Sequence, residues 1–145
     1  MTIQRATIEN VKELAELFNQ YRVFYDQESD IEAAQAFLHE RISREESVIF
    51  LVFDGGEAVG FTQLYPTFSS VKMKQSWVLN DLFINEESRG KGFGENLVIA
   101  AIEFAKETSA SGVLLETGEE NTRAQGLYEK IGFKKESNYF YFYSL

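Results

Sequence analysis

The stretch Trp77 to Gly94, WVLNDLFINEESRGKGFG, constrains this chain more than any other. A run of strand-forming residues passes through a polar loop into glycines at the head of a helix-patterned segment. Gly90, Gly92 and Gly94 let the backbone approach an anion closely, and the first N–H groups of the helix that follows have no intrahelical acceptor. Such a loop can hold a pyrophosphate without any metal. The expectation is an α/β chain in which a strand delivers a phosphate cradle.

The 145 residues, 44% of them hydrophobic, suit one domain spanning 1–145 with a sizeable core. The chain has no cysteine, which excludes a disulfide framework, a thiolate zinc site and a cysteine nucleophile. His39 stands alone, which removes most zinc chemistry and a histidine-based triad with a second histidine. No metal is expected. The 14 basic and 23 acidic residues leave a net charge of -9, which repels nucleic acid and favours a cationic partner, although acidic surfaces also serve solubility. The segment MTIQRATIEN lacks the apolar core of a signal peptide, and no apolar run reaches the roughly 18 residues of a membrane span. A cytoplasmic protein without a membrane partner is therefore expected.

Taken in order, Ile3 to Thr7 reads as a first strand, with Thr7 as the cap of a helix that repeats Val11, Leu14, Leu17, Phe18 and Tyr21. The segment YRVFYDQESD follows, where Tyr21, Phe24 and Tyr25 meet Asp26, Glu28 and Asp30. It either lines a pocket for a cationic group or packs its aromatics in the core and solvates its acids. A second helix is expected over roughly Ile31 to Arg44. Val48 to Phe53 and Ala58 to Tyr65 form a hairpin around Asp54, Gly55, Gly56 and Glu57. Pro66 is expected to end or bend the second strand, and Thr67 to Lys74 to be a polar connection before the strand Trp77 to Ile84. A helix from Phe93 to about Thr108, a buried strand Gly112 to Thr117 and a helix Asn121 to Phe133 come next; the first two make a crossover with parallel pairing. Tyr139 to Leu145, YFYFYSL, reads as a closing strand apolar on both faces, either sandwiched between layers or used in a subunit contact. A weaker extended piece around Lys134 to Ser137 precedes it.

Two motifs carry a resemblance. Arg89, Gly92 and Gly94 meet the pattern Arg or Gln, two residues, Gly, one residue, Gly or Ala, between a strand and a helix. Asn121, Ala124, Leu127, Tyr128, Glu129, Lys130, Gly132 and Phe133 meet the pattern Asn, two residues, Ala, then Leu-Tyr-Glu-Lys and Gly-Phe. Together they resemble the GNAT superfamily of acetyl-CoA-dependent N-acetyltransferases, over essentially the whole chain. A P-loop is excluded, since no GxxxxGK[ST] occurs. The resemblance implies an α/β (α+β) fold: a mixed, mostly antiparallel sheet of six to seven strands, about four helices, and a V-shaped splay between the strands Trp77–Ile84 and Gly112–Thr117.

It also implies roles. The loop from Arg89 through Gly90, Lys91, Gly92 and Phe93 to Gly94 would wrap the pyrophosphate of the cosubstrate acetyl-CoA. Backbone groups of Leu82, Phe83 and Ile84 would pair with the pantetheine amides, Asn121 would bind the same arm or cap its helix, and a donor near the thioester carbonyl would stabilise the oxyanion. Tyr128 would protonate the departing thiolate, or else pack as a core aromatic. Many relatives carry a glutamate base where this chain has Val78 or Asn80. Asp81 is the first substitute candidate, although strand alternation turns it away from Asn80 unless a bulge intervenes. Glu116 and a water chain are the others. Tyr21, Tyr25 and Asp26 would bias the acceptor toward a small cationic amine or a lysine side chain. Pairing of two copies is a further expectation. Two rival readings are a CoA-binding module without catalysis, suggested by the missing glutamate, and acetylation of an aminoacyl-tRNA, which the charge opposes.

Overall fold

A computed structural model describes residues 1–145. Five strands form one sheet in the order β1 (Thr2–Arg5), β2 (Val48–Asp54), β3 (Glu57–Ser69), β4 (Lys74–Ile84) and β5 (Val113–Leu114). The first three contacts are antiparallel and the last is parallel. Helices α1 (Val11–Phe24) and α2 (Ile31–Ser43) cover one face, and α3 (Phe93–Glu107) with α4 (Thr122–Ile131) the other. The run of β2 is continuously apolar because it is buried on both sides. Ile49 and Leu51 meet Leu14, Phe18 and Leu38 from α1 and α2, whereas Val48 and Val52 belong to the clusters under α3.

The hairpin expected at Asp54–Glu57 is present, with Gly55 and Gly56 at φ 60° and 84°, the left-handed pair that a two-residue turn demands. Thr7 caps a short 3-10 turn, Ile8–Asn10, that leads into α1 instead of capping the α-helix directly: its hydroxyl accepts from Glu9 N at 3.2 Å and its own N–H donates to Asn10 Oδ1 at 2.9 Å. The polar connection Thr67–Lys74 is shorter than expected. The strands continue to Ser69 and resume at Lys74, leaving a tight turn between. Pro66 neither ends nor breaks β3; it pairs with Trp77, and on its other side β2 has already ended at the Val48–Leu64 pair, so the missing donor faces no strand.

The sheet has fewer strands than the six to seven expected. The segment read as a strand over Gly112–Thr117 pairs only at Val113 and Leu114, and neither Lys134–Ser137 nor Tyr139–Leu145 joins the sheet. Strand propensity alone does not form a strand; it needs an edge to pair with. The crossover from β4 through α3 to β5 is held by Trp77 Nε1 donating to Thr108 Oγ1 at 2.9 Å and by a 2.6 Å hydrogen bond between Ser76 and Ser111 hydroxyls.

Candidate active site

The loop between β4 and α3 turns on two left-handed residues, Gly90 and Gly92, at φ 81° and 84°. Gly92 is also the N-cap of α3, and a glycine has no side chain with which to bond the amides of the first turn. Gly94 has no such backbone requirement. A methyl group there would touch only Ile84 Cγ1 at 3.9 Å, so its contribution is open space beside the first turn of α3. The exposed Arg89 side chain folds back on the end of β4: Nε donates to the Ile84 carbonyl at 2.9 Å, and the guanidinium lies 5.3 Å from the ring centre of Phe24 and 5.6 Å from that of Phe83. Lys91 Nζ stands 3.7 Å from Asp54 Oδ2, an exposed pair of small energetic weight. Phe93 is buried against Val52, Val59 and Leu97.

Beyond the loop, β4 and β5 part. Their pairing consists of Trp77 with Val113 and Val78 with Leu114, so Leu79 to Ile84 have β3 on one side and no strand on the other. The backbones of Leu82, Phe83 and Ile84 lie along this gap, with the Ile84 carbonyl already accepting from Arg89. The Phe83 side chain points away from the gap, into the cluster with α1.

Where the strands part, a cavity of about 500 Å³ is lined by Tyr21, Tyr25, Asn80, Glu116, Asn121 and Tyr128, among others. Four separate elements supply these side chains. Tyr21 is in α1 and Tyr25 at its C-cap, the rings 5.1 Å apart edge to face. Asn121 is the N-cap of α4, its Oδ1 accepting from Ala124 N at 3.2 Å. That leaves its amide nitrogen as the donor available to a ligand, so cap and ligand contact are compatible. Tyr128 is half-buried, packed against Phe133 at 5.7 Å. Burial, and to a smaller degree the neighbouring Tyr25, pushes its hydroxyl pKa up, so it holds its proton throughout the neutral range.

Asn80 reaches this cavity because β4 bulges there. Gln63 pairs with Asp81 and Leu64 with Leu79, which leaves Asn80 as an extra residue without a partner in the ladder. The bulge reverses the alternation of the strand: Trp77 and Leu79 face α3, whereas Phe83 faces α1. Asp81 follows the second pattern. It is 7% exposed and does not line the cavity. Its Oδ2 accepts from Gln63 Nε2 at 2.8 Å and its Oδ1 from Asn80 Nδ2 at 3.1 Å. Burial and then the Asp81 charge push the Tyr21 hydroxyl well above the usual tyrosine pKa, and the same two causes push Tyr65 up to about 12.

The structure thus brings together Tyr21, Tyr25, Asn80, Leu82, Asn121 and Tyr128, with Asp81 directly behind Asn80. It leaves Asp26 outside, exposed at φ 64° past the end of α1. Gln63, Tyr65 and the cavity residues Leu79, Thr117 and Gly118 belong to no motif in the sequence. Gln63 carries a signal that could have found it: one amide inside the apolar run VGFTQLY, fully buried, with its Oε1 lacking a partner. No group of three or more histidine, cysteine or acidic side chains is placed to hold a metal ion, and no helix is long and apolar enough to cross a membrane.

The acetyltransferase (GNAT) family model matches residues 11–133. The chain is 44% identical over 142 residues to YhfO of Bacillus subtilis (strain 168), an uncharacterised N-acetyltransferase, covering 98% of this chain and 95% of that one. It is 30% identical over 135 residues to a probable acetyltransferase of Haemophilus influenzae, covering 92% and 90%. The crystal structure of a probable acetyltransferase, 41% identical, superposes with a TM-score of 0.91 over 100% of this chain and 97% of the other. With an open five-stranded sheet, a glycine-capped α3 and the parted β4 and β5, the chain belongs to the GNAT family and is an acyltransferase.

Proposed function

We propose that the enzyme transfers the acetyl group of acetyl-CoA to a primary amine, either a small cationic amine or a lysine-like side chain. The observation that carries this reading is the continuity of one path. Amides of an uncapped helix start, an unpaired stretch of β4 and a polar cavity follow one another, which is the order of pyrophosphate, pantetheine and thioester in the cosubstrate. The residues present fit that group: Gly90 and Gly92 turn the backbone toward the phosphate position, and Asn121 retains an amide donor beside the gap.

Acetyl-CoA supplies an activated acetyl thioester. The protein's part is to hold the amine against it and to move two protons. An amine of ordinary pKa near 10.4 must lose a proton before it attacks, at roughly 4 to 5 kcal/mol at pH 7. Both Asp81 oxygens are engaged by Gln63 and Asn80, so Asp81 acts by fixing Asn80 and by its negative charge near the acceptor end. Glu116 is the carboxylate that lines the cavity, and it takes the amine's proton directly or through water. Tyr128, kept protonated by burial, delivers a proton to the leaving sulfur. Tyr21 and Tyr25 provide aromatic faces for a cation at the entrance.

Amine-dependent thiol release from acetyl-CoA, followed over a panel of polyamines, aminoglycosides and lysine peptides, tests this. The chain has no cysteine, so protein thiols add no background. Release with at least one cationic amine is expected. No release with any amine, under conditions where a proven N-acetyltransferase is active, would overturn the reading.

A further inference from the structure

We propose that Gln63 is a positioning residue of the polar cavity: it holds Asp81 so that the Asn80 amide presents its carbonyl oxygen, an acceptor for N–H groups, to the incoming molecule. The identity of that N–H group as an amine's rests on the proposed function; the linkage of the three side chains does not. Gln63 is fully buried in β3, directly opposite Asp81 in the register with β4, and does not line the cavity. Its Nε2 donates to Asp81 Oδ2 at 2.8 Å, whereas its Oε1 is buried without a partner. An unpaired buried acceptor is destabilising, and an apolar side chain of the same shape would avoid it. What accounts for an amide at this position is its one engaged atom, the nitrogen on Asp81.

A carboxylate accepts and does not donate, so it draws the nitrogen end of any amide beside it. Asp81 takes two such nitrogens, Gln63 Nε2 on Oδ2 and Asn80 Nδ2 on Oδ1, the second at 3.1 Å. Thr62 Oγ1 donates to the Asp81 carbonyl at 2.8 Å and fixes the backbone at the same point. Once Gln63 holds Oδ2, the plane of the carboxylate is set, and Oδ1 has one direction in which to hold the Asn80 nitrogen. Asn80 is the exposed extra residue of the bulge and lines the cavity, whereas Asp81 lies outside the lining. The Asn80 nitrogen is therefore turned to Asp81, and its Oδ1 is the end left for a ligand. An asparagine without such a neighbour offers either end of its amide. This one is committed to accepting, with a buried negative charge behind it, and so selects N–H donors over ligands that present an oxygen acceptor.

Heteronuclear NMR of the isotope-labelled intact chain tests the linkage without any substrate. The side-chain amides of Gln63 and Asn80 are each expected to show one proton shifted downfield by its bond to the carboxylate; an Asn80 signal like that of a free amide would overturn the proposal. Gln63→Met removes the donor and keeps the shape, and Gln63→Asn keeps a buried amide one methylene short of Asp81. With folding checked by circular dichroism, either variant is expected to move the Asn80 amide signal. Either should also raise the amine KM by about three- to tenfold, the size of one hydrogen bond, with kcat at saturation and the acetyl-CoA Kd unchanged. An Asn80 signal that stays in place, or a parallel loss of kcat and acetyl-CoA binding, would reduce Gln63 to a structural part of β3. If the intact chain turns over no amine, the proposed function fails, and the Asn80 signal alone decides the role of Gln63. Should neither variant fold, the two amide signals of the intact chain decide it.

Discussion

The glycine loop and the polar cavity lie along the same gap beside β4, yet they are made of different materials. The loop is backbone: two left-handed glycines and the free amides of α3. The cavity is side chains from α1, β4, the segment after β5, and α4. Three glycines within five residues specify the first. The second depends on helix packing, on the parting of two strands and on one inserted residue, so beyond the motif that carries Asn121 and Tyr128 it is spread over distant positions of the chain. A backbone site tolerates exchange of its side chains and fails when its torsions change; the side-chain site behaves in the opposite way.

Four substitutions probe that contrast, from the largest effect to the smallest. Tyr128→Phe is expected to lower kcat by about 10²-fold with the acetyl-CoA Kd unchanged by calorimetry; parallel loss of binding would remove Tyr128 from the proton transfer. Gly92→Val forces a branched side chain to φ 84° and is expected to raise the acetyl-CoA Kd by about tenfold, from roughly 1–3 kcal/mol of strain, with kcat at saturation retained. Should binding be untouched, the cradle does not rest on this turn.

Glu116→Gln is expected to slow turnover by several-fold at pH 7. The defect should fade above about pH 10, where an amine of ordinary pKa deprotonates itself. Burial, and then Tyr25, raise the Tyr128 pKa above the ordinary tyrosine value, which moves the loss of the acid to higher pH. A defect that stays constant across the pH–rate profile would exclude Glu116 as the base. Asn80→Ala removes the amide that donates to the buried Asp81 Oδ1, and should lower unfolding free energy by about 1–3 kcal/mol while altering KM for the amine. An unchanged denaturant midpoint would show that Asp81 does not depend on this contact.

Much of the fold is legible in the sequence because local physics dictates it. The apolar repeat of Val11, Leu14, Leu17 and Phe18 marks α1, Gly55–Gly56 marks the hairpin, and Gly92 with the apolar face of Leu97, Val98 and Ala101 marks the start of α3. Asn121 and Tyr128, which a motif marks in the sequence, both line the cavity. What escaped was non-local. The bulge at Asn80 exists only in the register of β4 against β3, and even with it Asp81 stays buried outside the cavity lining. The aromatic tail has every local mark of a strand, yet it leaves the outer edge of β5 unpaired. Pro66 reads as a breaker because the sequence does not show that β2 stops before it.

The bulge has a consequence for how such an enzyme can change. Asn80 has no partner in the ladder, yet it sits in the acceptor cavity beside a buried carboxylate. It is a position where recognition can drift while architecture stands still. A side chain there that still donates to Asp81 would present a different face to whatever enters the cavity with no change in strand pairing, whereas a glutamate would set a second carboxylate against the buried one.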